Sequence, residues 1–313
     1  MLDNSIAFVG DIHLQFSNPS SRIDNYFETI IGKMRQIMNK NKYFLSLGDL
    51  FSFPVLDIQG TMILVELLRE YKEKGGVFIE LMGNHTVYNW QLNTINKTTL
   101  GLLDKLKLLK ILDRSGQIKT ALNELNVGDW KIIPALLNNP KDLLPAPQEK
   151  SIMVAHSYYA FGRDKTHSLE YKDLKDLDYK YYFFGHEHLD YKPKIIEQSI
   201  LYRPGALSRG TAEAYNFDRK IYYYRLNLDT DKIESVDIDY APAEEVFSIQ
   251  AVDKHNDSTP KYVYDLEALM SSFKQKKTMN ISIKKMMEDN PEIPNNIVNF
   301  IESCYEACNI EFV

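Results

Sequence analysis

The sequence predicts an α/β fold, and two observations lead to this prediction. Short apolar runs rich in β-branched and aromatic residues indicate buried strands. In the first third of the chain these runs alternate with amphipathic segments whose apolar residues have helical spacing. In addition, five of the strand-like runs end in a small residue or a turn and are followed by a side chain that can bind a metal ion. Because α/β proteins bind ligands at the carboxyl ends of their strands, we expect these side chains to lie at one edge of the fold.

Strands and helices alternate in the first third of the chain. We predict strands at residues 5–9, 43–47 and 77–81, and helices at residues 22–39, 58–74 and 98–112. Apolar residues recur at i, i+3 and i+4 in the first helix. Asp57 can cap the second helix, and Gly75-Gly76 ends it. The third helix is predicted from a leucine-rich stretch.

The remainder of the chain is richer in strands and then changes character. Two short strands are predicted within residues 123–134 around the turn Val127-Gly128-Asp129, with others at residues 151–154, 181–184, 199–202, 221–226 and 234–239. After Ala241-Pro242 we predict a strand at 247–252 and helices near 266–276, 281–289 and 296–307. The predicted domains are therefore a large one over residues 1–242 and a small one over residues 243–313.

The composition excludes some classes of protein. The formal net charge of −6 provides no general attraction for nucleic acid, so any DNA binding must come from local patches or from a partner. No apolar run approaches the ~20 residues that span a bilayer, and no signal-like stretch opens the chain. Cys304 and Cys308 form no disulfide framework, and we interpret them as structural rather than metal-binding. We expect a cytoplasmic protein that does not bind membranes.

Eight side chains of the metal-binding type follow the predicted strands. They are Asp11, His13, Asp49, Asn84, His85, His156, His186 and His188, and they include five of the seven histidines. Oxygen and imidazole ligands without thiolate suit Mn, Fe or Zn. With His85 set aside, seven ligands are too many for one tetrahedral zinc and suit two ions that share a carboxylate. Two such ions activate water and neutralise charge on a phosphoryl group.

The order and spacing of these motifs resemble the calcineurin-like metallophosphoesterases over about residues 5–240. The motifs are Asp11-x-His13, Gly48-Asp49, Gly83-Asn84-His85, His156 and Gly185-His186-x-His188. The resemblance implies a four-layer αββα metallophosphoesterase sandwich, followed here by a small C-terminal α+β or helical domain. It also implies two divalent metal ions, for which we expect Mn²⁺, with Fe, Zn or Mg as alternatives.

The same resemblance implies a role for each residue. Asp11, His13 and His188 would hold the first ion, and Asn84, His156 and His186 would hold the second. Asp49 would bridge the two ions. His85 would be the catalytic histidine that protonates the leaving group or stabilises its charge.

Two positions depart from the family pattern. The residue after Asn84-His85 is usually an acid that steadies the catalytic histidine, and here it is Thr86. Some related nucleases have a histidine or an aspartate three residues after the bridging aspartate, where this chain has Ser52. We expect normal metal binding, and a reaction rate that depends on how His85 is held.

Within the family, the chain most resembles the SbcD-type DNA repair nucleases, including phage versions. The resemblance lies in Gly48-Asp49-Leu50-Phe51, in the segment Tyr202–Ala206 with Ser208-Arg209, and in the small C-terminal domain. It implies a metal-dependent DNA nuclease whose C-terminal domain docks on an SbcC-type coiled-coil ATPase, although these helices can equally cap their own domain. Related nucleases are commonly homodimers.

Local basic residues would hold the DNA backbone in this interpretation. We assign Arg203 and Arg209, beside the motif that follows the strand at 199–202, to substrate binding. Arg163 and Lys165 fit either DNA binding or a solvated surface.

Two other functions remain open. The same motifs serve a phosphatase or phosphodiesterase that acts on small molecules, nucleotides or phosphoproteins, and the acidic net charge favours this class slightly. A metal-binding scaffold without activity is suggested only by Thr86, and the retained His85 argues against it.

Overall fold

The structure is a computed structural model that describes residues 2–159, 168–212 and 215–248. The first part of the chain contains, in order, β1 (Asp3–Val9), α1 (Tyr26–Met38), β2 (Asn41–Ser46), α2 (Ile58–Glu73), β3 (Val77–Leu81), α3 (Thr99–Lys105), β4 (Lys110–Leu112), β5 (Leu125–Val127) and β6 (Trp130–Pro134). The second part contains β7 (Ser151–His156), β8 (Tyr158–Tyr159), β9 (Ser168–Leu169), α4 (Tyr171–Leu174), β10 (Tyr181–Gly185), β11 (Tyr191–Ile196), β12 (Ser199–Arg203), α5 (Tyr215–Asp218), β13 (Tyr222–Asn227), β14 (Lys232–Asp237) and α6 (Ala243–Val246).

Two mixed six-stranded sheets form the framework. The first has the strand order β14-β13-β1-β2-β3-β4, and its strands β1 to β4 are parallel. The second has the order β11-β12-β10-β7-β6-β5, and its central strands β12, β10, β7 and β6 are parallel. An antiparallel strand or hairpin completes each sheet: β13 and β14 in the first, β11 and β5 in the second.

The two sheets pack face to face, with helices on the outside. Along β1, Ile6 and Phe8 face the second sheet, whereas Ala7 and Val9 face α1 and α2, so both faces of the strand are buried. The rings of Phe8 and Phe183 stack across the sheet interface at 3.8 Å between centroids. A third apolar cluster covers the outer face of the second sheet with α4. The four layers confirm the predicted αββα sandwich.

Most of the predicted elements are present, but the prediction of one helix, at residues 98–112, is partly wrong. α3 ends at Lys105, Lys107 adopts a left-handed backbone with φ 56°, and β4 follows within the stretch predicted to be helical. β4 pairs with β3 in parallel and buries Ile111 and Leu112 completely. Pairing with a neighbouring strand therefore outweighs the helical preference of the leucines. The strand β11, which the sequence did not predict, lies at the edge of the second sheet.

The start of α1 also differs from the prediction. The helix begins at Tyr26 because the side chain of Asn25 accepts a hydrogen bond from the main-chain N–H of Glu28. Asp57 caps α2 as predicted, through Gln59.

The small C-terminal domain stays a prediction. Its helices, the pair Cys304 and Cys308, and most of the strand predicted at 247–252 lie outside the described residues. Phe247 itself forms one bridge with Arg22. None of the helices in the described ranges is long and apolar enough to cross a membrane.

Candidate metal centre

The carboxyl ends of five parallel strands bring the eight predicted side chains to one place. Asp11 and His13 follow β1, Asp49 follows β2, Asn84 and His85 follow β3, His156 ends β7, and His186 and His188 follow β10. Because β1 to β3 belong to one sheet and β7 and β10 to the other, the centre lies where the ends of the two sheets meet.

Asp11, His13 and His188 form a first cluster, whose potential ligand atoms lie within 4.8 Å of one another. The Nε2 atoms of His13 and His188 are 2.9 Å apart. Asp11 is fully buried, and both of its carboxylate oxygens accept hydrogen bonds from the main-chain N–H of His186, at 2.9 and 3.1 Å. This N–H ties the carboxylate of the first cluster to the loop after β10.

Asp49, His156 and His186 form a second cluster, whose potential ligand atoms also lie within 4.8 Å of one another. The Nε2 of His156 lies 3.1 Å from Asp49 Oδ2, 3.1 Å from His186 Nδ1 and 3.0 Å from Asn84 Oδ1. Asp49 Oδ1 accepts from the main-chain N–H of His85 at 2.8 Å. The structure thus places Asp49 in the second cluster, and its bridging role stays a prediction.

The chemistry of the second cluster fits a cation. The Nδ1 of His156 lies 2.9 Å from the carbonyl oxygen of Leu47, so the neutral ring donates from Nδ1 and presents the lone pair of Nε2. That lone pair then faces two acceptor oxygens and a second imidazole. Once Nε2 of His156 has lost its proton, these atoms are all acceptors, and such a set fits a metal ion bound by oxygen and nitrogen.

The pKa values of the histidines are also compatible with metal binding. Burial lowers the pKa of His13 to about 4, and burial together with the neighbouring His156 lowers that of His186 to about 4. Both rings are therefore neutral ligands near neutral pH. Burial opposes charge on His156, but the Asp49 carboxylate beside it outweighs burial and raises its pKa to about 9. The second cluster thus carries one proton, which a divalent ion would displace on binding.

Three of the clustered residues have a strained backbone. His13, Asp49 and His186 adopt left-handed conformations with φ of 49°, 53° and 77°. Such conformations cost about 1–3 kcal/mol each outside glycine and concentrate at functional sites. Close approach also requires glycine at position 48, since a Cβ there would lie 2.3 Å from Nδ1 of His156.

His85 is exposed beside the two clusters and is held by a main-chain group. Its Nδ1 lies 3.0 Å from the carbonyl oxygen of Ser52, and its ring lies 5.0 Å from that of His13. Thr86 is fully buried and donates its hydroxyl hydrogen bond to the carbonyl of Gly83. The carbonyl of Ser52 therefore makes the contact with His85 that the family pattern leads one to expect from a carboxylate.

The two arginines assigned to substrate binding lie in different surroundings. Arg209 is 1 % exposed and donates hydrogen bonds to the main-chain carbonyls of Asn216 and Ala241, so we leave it out of any substrate surface. Arg203 lies near the metal centre and pairs with Glu187 at 3.1 Å. Arg163 and Lys165 lie outside the described residues.

A cavity of about 290 Å³ adjoins the first cluster and His85, and the sequence did not predict it. Its other described lining residues are Gln15, Pro19, Tyr26, Ser52, Phe53, Ser208, Gly210, Thr211, Tyr215 and Asn216. They come from three separate segments of the chain, so no local pattern could have identified them together.

The fold and the paired clusters define a hydrolase that acts on phosphoesters with two metal ions. A family model described as calcineurin-like phosphoesterase matches residues 5–190, and the chain belongs to this family. The family depends on a dinuclear metal site, and the two clusters match that requirement.

Two solved structures resemble the chain at low sequence identity. A protein of Thermus thermophilus is 10% identical with a TM-score of 0.44, covering 76% of this chain and 99% of its own. A structure titled as a novel archaeal phosphodiesterase is 10% identical with a TM-score of 0.39, covering 74% of this chain and 99% of its own. No curated protein sequence matches the chain.

Proposed function

We propose that this protein is an SbcD-type nuclease that hydrolyses phosphodiester bonds of DNA with two divalent metal ions, most suitably Mn²⁺. The observation that carries the proposal is a cationic edge next to the metal centre, formed by Lys192 and Lys194. The motifs described above supply the hydrolytic machinery.

The cationic edge connects to the second cluster through two adjacent tyrosines. The ring of Tyr158 lies 4.2 Å from that of His186. The ring of Tyr159 lies under two cations, with Nζ of Lys194 at 4.8 Å and the guanidinium carbon of Arg203 at 5.5 Å. Lys192 and Lys194 are exposed on the edge strand β11. The two exposed lysines would hold the phosphates that flank the scissile bond.

The metal ions and His85 would perform different steps of the hydrolysis. Bound metal ions would activate water and neutralise charge on the phosphoryl oxygens. Because the carbonyl of Ser52 accepts a hydrogen bond from Nδ1–H of His85, the second ring nitrogen, Nε2, remains available to hydrogen-bond with the substrate. We infer that His85, from this position, protonates the leaving oxygen or stabilises its charge.

A phosphodiesterase for small substrates is the second candidate. The cavity beside His13, His85 and His188 has no lysine or arginine among its described lining residues. Such a lining suits a neutral group attached to the scissile phosphate, and the volume of about 290 Å³ suits a small molecule.

Several further proposals accompany the nuclease function. We propose that residues 243–313 dock on an SbcC-type coiled-coil ATPase, that the protein can form a homodimer, and that it acts in the cytoplasm in DNA recombination or repair. Each rests on the resemblance of the sequence to the SbcD-type nucleases.

The function is tested with Mn²⁺ and two substrates, labelled linear DNA and an aryl phosphodiester. We expect cleavage of DNA that falls by about 10²–10⁴-fold in His85→Ala and disappears in Asp49→Ala. Thr86→Ser, which retains the hydrogen bond to Gly83, is the matched control and should keep the wild-type rate. Hydrolysis of the aryl ester with intact DNA, with and without a coiled-coil ATPase of the SbcC type, would contradict the nuclease and support the second candidate.

A further inference from the structure

Glu187 stands between the two histidines that serve different clusters. His186 belongs to the second cluster and His188 to the first. The carboxylate of Glu187 is engaged on the neighbouring strands: Oε1 accepts from the hydroxyl of Tyr191 at 2.8 Å, and Oε2 accepts from Nη1 of Arg203 at 3.1 Å. Both oxygens therefore have partners outside the metal centre.

Arg203 and Tyr191 form a rigid support for this carboxylate. They lie directly opposite each other in the antiparallel pair of β11 and β12. The guanidinium carbon of Arg203 lies 3.8 Å from the centre of the Tyr191 ring, within the range of a cation–π contact. The side chain of Arg203 is only 11 % exposed. Its geometry thus suits an internal contact better than a contact with an incoming phosphate.

The loop that carries the histidines needs such a support. His186 has a left-handed backbone with φ 77°, which an unrestrained non-glycine residue rarely adopts. The carbonyl of His188 accepts from the main-chain N–H of Ala206 at 3.0 Å, beyond the end of β12. The loop is therefore tied to β12 at His188 by its backbone and at Glu187 by a side chain.

We propose that Arg203 is a positioning residue that acts through Glu187 and orients His186 and His188 for both clusters. In this arrangement the Arg203–Glu187–Tyr191 group, rather than the metal ions alone, holds the loop in its left-handed form. The sequence had assigned Arg203 to substrate binding, and the proposal replaces that role. It rests on the two-metal hydrolase chemistry and does not depend on whether the substrate is DNA.

The test measures Mn²⁺ affinity without substrate, by the electron paramagnetic resonance signal of free Mn²⁺ during titration. We expect Glu187→Ala and Arg203→Ala each to weaken Mn²⁺ binding by about 10–100-fold, as the loss of groups that orient metal ligands does. The double variant should bind Mn²⁺ no more weakly than the weaker-binding of the two single variants, because both substitutions remove the same Arg203–Glu187 interaction. Arg225→Ala is the matched control, since Arg225 pairs with Glu234 on the first sheet, and it should bind Mn²⁺ like the wild type.

A phosphate-binding Arg203 gives the opposite results. Arg203→Ala would then raise KM and leave Mn²⁺ affinity unchanged, and its effect would persist in the Glu187→Ala background; either result overturns the proposal. Tyr191→Phe tests the same proposal if an alanine variant does not fold. It keeps the ring beneath Arg203 and removes only the hydrogen bond from the Tyr191 hydroxyl to Glu187. We expect it to weaken Mn²⁺ binding by about five-fold, and unchanged affinity would also overturn the proposal. Normal Mn²⁺ affinity in the wild type without DNA cleavage would count against the nuclease alone.

Discussion

The Nδ1 atom of His85 lies 3.0 Å from the main-chain carbonyl oxygen of Ser52. This contact holds the ring without a carboxylate, so His85 has a partner although Thr86 follows it in the sequence. Ser52 is itself fixed, because its hydroxyl donates to the carbonyl of His13 at 2.8 Å. The support of His85 thus comes from the loop after β2 and is linked to the first cluster.

Replacing Thr86 by Asp tests this support. Thr86 is fully buried and bonded to Gly83, so a carboxylate there would replace a hydroxyl donor with a buried charge. We expect Thr86→Asp to leave kcat unimproved and to destabilise the fold by roughly 1–3 kcal/mol. Steady-state kinetics and thermal melting check both effects, with Thr86→Ser as the control. A rise in kcat for Thr86→Asp would show that His85 lacks an adequate partner in the wild type.

The cationic edge is tested by the double variant Lys192→Glu/Lys194→Glu. We expect KM for DNA to rise by at least about ten-fold at low salt, and the slope of log KM against log salt to fall by about two, because two phosphate contacts are lost. The rate on an aryl phosphodiester should not change. Lys172→Glu/Lys175→Glu alters the net charge equally at exposed lysines of the α4 segment, which pair with Glu170 and Asp176. Equal effects of the two double variants would refute a specific role for the edge.

Glu80 makes the stability of the metal-free protein dependent on pH. The side chain is fully buried behind Asp49, and one of its oxygens accepts from the main-chain N–H of Leu50 at 3.0 Å. Burial raises its pKa well above the ordinary value of 4.5. The folded state therefore retains a proton that the unfolded state releases, and this costs stability as the pH rises above 4.5.

Glu80→Gln removes this cost and keeps an acceptor for Leu50. Relative to the wild type, we expect the free energy of unfolding of the variant to increase with pH by up to about 1.4 kcal/mol per pH unit, until the folded pKa is reached. Urea unfolding with a chelator, between about pH 5 and pH 8, measures the difference. The exposed Glu73→Gln should show no such trend. A constant difference across the range would mean that Glu80 ionises normally.

The interface between the sheets depends on the stacked rings of Phe8 and Phe183. Phe183 is fully buried, so Phe183→Ala should lower the free energy of unfolding by about 3–5 kcal/mol through lost burial and a cavity. Phe53 is 62% exposed, and Phe53→Ala should cost no more than about 0.5 kcal/mol. Chemical denaturation of both variants measures this contrast, and similar losses would contradict the packing described.

The sequence predicted the parts of the centre that depend on local pattern. An apolar run, then a glycine or alanine, then a ligand recurs at the ends of β1, β2, β3, β7 and β10. In α/β proteins the carboxyl ends of parallel strands meet at one edge. The eight side chains were therefore named correctly as neighbours. The αββα fold followed from the same motifs and is confirmed, and the roles of the individual ligands stay predictions.

Other features depend on contacts between residues far apart in the chain. The leucine-rich stretch after Thr98 ends as β4 because β3 offers a partner strand. Arg209 looks like a DNA-binding residue in the sequence, but the fold buries it against main-chain carbonyls. Ser52 supports His85 through its carbonyl, a group that every residue possesses. The sequence by itself determined which side chains could bind metal, and only the tertiary structure decided what holds them, because burial and hydrogen bonding at these positions are set by segments that meet after folding.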